Sequence, residues 1–128
     1  MNRSTKNIIL ISFLLLCSIF ILASEGVNPG IFTLWNLLPI VIGYFVLKYS
    51  FVNRTSFVSS LPGFGYLILG IGFSLLTHAA WLFDWGETQT GSSTSGLMFI
   101  FIPVFSIVFG GAGFIVGGIL HRLLQKQT

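Results

Sequence analysis

The stretch Ser74-Leu75-Leu76-Thr77-His78-Ala79-Ala80-Trp81-Leu82-Phe83-Asp84-Trp85-Gly86-Glu87 decides how this chain is built. An apolar run that begins near Gly63 ends here, in two tryptophans and two carboxylates. Aromatic rings at the rim of an apolar segment, followed by charge, mark the place where a helix leaves hydrocarbon for water. Inside the run sits His78, the one histidine within an apolar segment. The stretch reads as the outer end of a membrane span with a single titratable group left inside it.

Composition extends that reading to the whole chain. Hydrophobic residues are 54% of the 128 and charged residues 7%, against about 25% charged in a soluble domain. Too few charges remain to cover a water-exposed surface, so the chain is an integral membrane protein of one domain, residues 1–128. Fourteen Phe and 15 Gly suit lipid, where rings face acyl chains and glycines let helices approach. The six Lys and Arg are scattered over short segments, too thinly for a nucleic-acid footprint. Cys17 lies midway along an apolar run and reads as a small core residue; Leu16 before it excludes a lipoprotein acceptor.

Four apolar segments are long enough to span: residues 8–23, 31–52, 63–83 and 97–120. The first, at sixteen residues, covers ~24 Å as a helix, so Asn7 and Ser24 complete it at the interfaces. Its basic head and Ala23-Ser24 before Glu25 also have the order of a secretory signal peptide. Cleavage there leaves three spans in the same orientation. The connecting loops are short, so consecutive helices are expected to be antiparallel neighbours in an up-and-down four-helix bundle. Arg3, Lys6, Lys48, Arg54, Arg122 and Lys126 alternate with Glu25, Asp84 and Glu87 on opposite sides of the bilayer. By the positive-inside rule both termini are expected in the cytoplasm.

Chemistry has few places to reside. Gly70, Ser74, Thr77, His78, Trp81 and Trp85 fall on one face of the third helix. Asn36 lies at similar depth on the second, and Pro39 and Pro103 bend the helices entering from the same side. Each proline leaves one carbonyl free, that of Trp35 or Phe99, which in lipid requires a partner. One reading is an outward-facing polar pocket formed by His78, Thr77, Ser74 and Asn36. The other is ordinary interhelical hydrogen bonding, worth about 0.6 kcal/mol per contact. Ser106, Gly110, Gly113 and Gly117 form a small-residue seam on the fourth helix, suited either to packing inside the bundle or to a partner.

No phosphate loop, Cys/His metal cluster or nucleophile elbow is present, so neither catalytic nor metal-binding residues are assigned, and no cofactor is expected. His78 and Asp84 are about 120° apart around the helix, which argues against an acid–base pair. Small four-helix multidrug exporters are of similar size but rely on an acidic residue within the first span, and residues 8–23 contain none. The run Ser93-Thr94-Ser95-Gly96-Leu97-Met98-Phe99-Ile100-Phe101-Ile102-Pro103-Val104-Phe105 resembles the last-helix entry of small uncharacterised bacterial four-helix inner-membrane proteins. That resemblance covers about the last third of the chain and implies a multi-pass bacterial inner-membrane location, without an activity. The expected function is a non-enzymatic accessory or interaction subunit that docks through the fourth helix as a homo-oligomer or on a larger membrane protein. The alternative is a small oligomeric transporter or channel using the pocket around His78 and Asn36.

Overall fold

The computed structural model describes residues 2–26, 30–54 and 56–126. Four helices are long and apolar enough to cross a membrane: α1 (Arg3–Glu25), α2 (Ile31–Val52), α3 (Val58–Leu82) and α4 (Ser95–Gln125). Among the described residues there is no strand. The helices overrun the hydropathy boundaries because polar ends can stay helical in water. Asn2 caps α1 by accepting the Ser4 N–H at 3.3 Å, which draws the basic head into the first turn. At its far end α1 continues through Glu25 until Gly26, at φ +83°, turns the chain. The 31 residues of α4 reach ~46 Å, well beyond the ~30 Å of a hydrocarbon core. One end of the bundle thus carries the start of α1, the end of α4 and all six basic residues; the other carries Glu25, Asp84 and Glu87. We call these the basic and acidic ends.

The helices do not form a simple ring. α2 and α3 make the middle of the bundle, with α1 against α2 and the second half of α3, and α4 along both α2 and α3. Leu10, Leu14, Cys17 and Ile21 of α1 are buried with Ile40, Leu47, Tyr66 and Ile71. Burying an apolar side chain among helices in lipid relies on close packing rather than on water exclusion, and α3 and α4 show how close. A Cβ on Gly113 would lie 2.3 Å from the Gly65 carbonyl oxygen, and one on Gly117 would lie 2.3 Å from that of Leu61.

Two widened, π-helical turns were not expected. They occupy Lys48–Val52 at the end of α2 and Leu67–Ile71 within α3. In a regular helix Gly65 and Gly70 would be about 140° apart. The extra residue in the turn brings both onto α4, Gly65 against Gly113 and Gly70 against Gly110. From Gly70 the buried positions continue with Ser74 and His78. The widened turn is therefore what aligns the glycine contact of the lower half with the polar face of the upper half.

Candidate functional site: a polar pocket at the acidic end

His78 is fully buried, and its two ring nitrogens meet very different partners. Nδ1 lies 2.7 Å from the Ser74 carbonyl oxygen, one turn back on α3. A carbonyl only accepts, so Nδ1 carries the proton and donates. Nε2 lies 3.3 Å from Oε1 of Glu25, whose side chain is 9% exposed. Sequence reading missed this partner because it placed Glu25 in a loop. Helix α1 runs two residues past Ala23, and that extension carries the carboxylate over the bundle interior. The available signal was Glu25 itself, an acid in the last turn of one helix at the end where His78 is a turn inside another.

The geometry fixes how protons can be shared. With Nδ1 committed as donor, the Nε2–Oε1 contact holds one proton in either favourable arrangement. It is imidazolium facing carboxylate, or neutral imidazole facing carboxylic acid. Removing that proton sets a lone pair against an anion, and the contact then becomes repulsive.

Around it lie polar groups with spare capacity. Asn36 is fully buried; its Nδ2 donates to the Phe32 carbonyl at 2.9 Å, and its Oδ1 finds no partner among the described residues. The Ser74 hydroxyl is likewise buried with no partner among the described residues; that of Ser106 is too, but it lies deeper, where α4 meets Gly70. Thr77 departs from the expected set, because its hydroxyl donates to the Phe73 and Ser74 carbonyls of its own helix. Phe99 forms a wall, its ring 5.5 Å from the His78 ring and 4.8 Å from that of Trp81. Between the end of α1 and the starts of α2 and α4 is a cavity of about 320 Å³, lined by Glu25, Thr33, Asn36, Phe32 and Phe99 among others. Its volume falls in the range of roughly 300–1,000 Å³ usual for small-molecule sites.

Pro39 and Pro103 are both fully buried, and the backbone around each is engaged by an aromatic side chain of a neighbouring helix. The Trp35 indole N–H donates to the Ile100 carbonyl at 2.9 Å, tying α2 to the turn of α4 that precedes Pro103. The expected free acceptor was the neighbouring Phe99 carbonyl; the indole takes the next one along the same turn. At the other proline, the Tyr66 hydroxyl donates to the Pro39 carbonyl at 3.0 Å.

The remaining candidates fall outside the pocket. Ser106, Gly110, Gly113 and Gly117 are all buried, and the three glycines face α3. Asp84, at φ +49°, organises its own loop: Oδ1 accepts the Gln89 and Thr90 N–H groups and Oδ2 the Thr90 hydroxyl. The Thr90 hydroxyl, then the Gln89 N–H, hold its carboxyl below the usual range. No three His, Cys, Asp or Glu among the described residues converge as metal ligands.

No family model, curated protein or solved structure matches the chain. The site's chemistry must carry the functional reading.

Proposed function

We propose that this is a small multi-pass membrane protein that binds a small organic cation in a pocket open at its acidic end, in competition with the proton held by Glu25 and His78. The observation that carries this reading is the Glu25–His78 contact beside the unpartnered Asn36 Oδ1 at the wall of the cavity. A carboxylate and an orphan amide oxygen are acceptors, and the Phe32 and Phe99 rings offer negative π-faces to a cation. A cation that pairs with Glu25 displaces the proton, so occupancy and protonation are linked. Below the pocket the interior is filled by Ile21, Ile40, Ile71 and Leu14, as befits a carrier in one access state rather than an open channel. By the positive-inside rule the acidic end faces outward, in a bacterial inner membrane with both termini cytoplasmic.

The test is calorimetric titration of the purified protein in lipid nanodiscs with tetraethylammonium, in buffers of different ionisation enthalpy. Binding should release about one proton and should be lost in Glu25→Gln. Equal binding by Glu25→Gln, or none by the natural sequence, overturns the reading.

The accessory-subunit reading retains one supporting observation. Gly111 and Gly118 of α4 have no atom within 4 Å of an added Cβ, and Val104, Val108 and Ile115 are exposed on the same helix. A partner through α4 would use that outer side, since the glycine seam is occupied by α3.

A further inference from the structure

A second cavity, unrelated to the polar pocket, lies at the basic end. It is a groove of about 390 Å³ between α1, α2 and α3. Its walls include Ile9, Phe13, Leu47, Phe51, Phe64 and Leu67, and its rim carries Lys6 and Arg54. The two cations are held in place by neutral partners. The Lys6 ammonium donates to the Arg54 carbonyl at 3.2 Å, and Arg54 donates to the Tyr49 hydroxyl while lying over that ring. Arg3, close by, donates to Asn53 Oδ1 at 2.9 Å. Among the described residues the only contact between a carboxylate and a basic side chain is Glu25–His78, at the opposite end. Each rim cation therefore keeps most of its donors free, and no carboxylate among the described residues neutralises either one.

We propose that this groove binds an anionic phospholipid of the leaflet at the basic end. The phosphate would sit between Lys6 and Arg54, and one acyl chain would lie along the apolar walls. Charge complementarity selects the occupant. A zwitterionic lipid fills the apolar walls equally well but brings no net negative charge to two uncompensated cations, whereas basic pockets between membrane helices suit anionic head groups. The spacing of Lys6, Ile9, Leu10 and Phe13 places rim and wall on one face of α1, so that helix contributes to both head-group and chain recognition.

The experiment is native mass spectrometry of the full chain released from micelles containing equal phosphatidylglycerol and phosphatidylcholine. The natural sequence should retain phosphatidylglycerol preferentially. Retention should weaken about fivefold for each cation removed in Lys6→Gln and Arg54→Gln, the equivalent of about 1 kcal/mol each. Lys6→Arg with Arg54→Lys should keep it. Arg122→Gln with Lys126→Gln, on the tail of α4, should leave it unchanged. Should the double neutralised variant not fold, Lys6→Gln alone, at a partly exposed position, carries the same test. Equal retention of the two lipids overturns the proposal. So does a neutralised rim that retains phosphatidylglycerol as before, or a tail variant that loses as much as the rim variant.

Discussion

At the scale of the residue, one partnership governs the interior. His78 is visible in the sequence as a titratable group inside an apolar run, but Glu25 is 53 positions away, and no local period relates the two. A linear reading sees depth and face along one helix. Which side chain of another helix arrives there depends on where that helix ends, and helix ends in water are set by caps rather than by hydropathy. Breaking either side leaves a buried polar group without its partner, at about 1–3 kcal/mol. His78→Ala and Glu25→Ala should therefore each lower unfolding stability by about that much. The double variant should lose less than the sum, by about 0.5–3 kcal/mol of coupling. Denaturant unfolding in micelles measures the cycle, and additive losses would show that the pair does not interact. The loop at Asp84 is the contrasting case. Its carboxylate is a loop charge satisfied by the N–H and hydroxyl groups of its own loop. Its proximity in sequence to His78 carries no chemistry.

At the scale of the element, periodicity was legible where helices are regular and misleading where they are not. Ser106, Gly110, Gly113 and Gly117 follow a plain helical spacing, and the seam they form is real and buried. The matching surface on α3 could not be read, because the turn at Leu67–Ile71 shifts its two halves against each other. No proline or composition break within Leu67–Ile71 announces the extra residue; it is fixed by the demand that Gly65 and Gly70 both lie on α4. The seam makes a sharp contrast between neighbouring glycines. Gly113→Ala places a methyl 2.3 Å from a backbone oxygen that cannot rotate away, so α3 and α4 must separate. The expected loss is about 1–3 kcal/mol. Gly111→Ala meets nothing within 4 Å and exchanges glycine for a better helix former, so stability should hold or rise slightly. Comparing the two by unfolding in micelles checks the register directly, since equal effects would mean that the seam faces elsewhere. The same pair bears on function: a partner that uses the outer side of α4 is disturbed by bulk at Gly111, not at Gly113.

At the scale of the molecule, span number and the segregation of charge were legible because both follow from composition along the chain. The packing order was not. Short loops require that sequence neighbours be near, but they do not forbid α2 from meeting α4, as it does. What the charge pattern determines beyond this is the meaning of both cavities. The acidic end holds the Glu25 pocket and the basic end holds the Lys6–Arg54 groove. Orientation therefore decides which of them meets external solutes and which meets the cytoplasmic leaflet. The positive-inside rule rests on six basic residues against none at the acidic end. Cysteine labelling settles it: in a Cys17→Ala background, Ser92→Cys in the acidic-end loop should react with a membrane-impermeant maleimide on intact cells. Ser56→Cys, beside the groove, should react only after permeabilisation. The opposite pattern would turn the molecule over, and with it the assignment of the cation pocket to external solutes. Selection of an anionic lipid by the groove is read in micelles and would stand unaffected. The two proposals can therefore fail separately, as their positions at opposite ends of a filled bundle require.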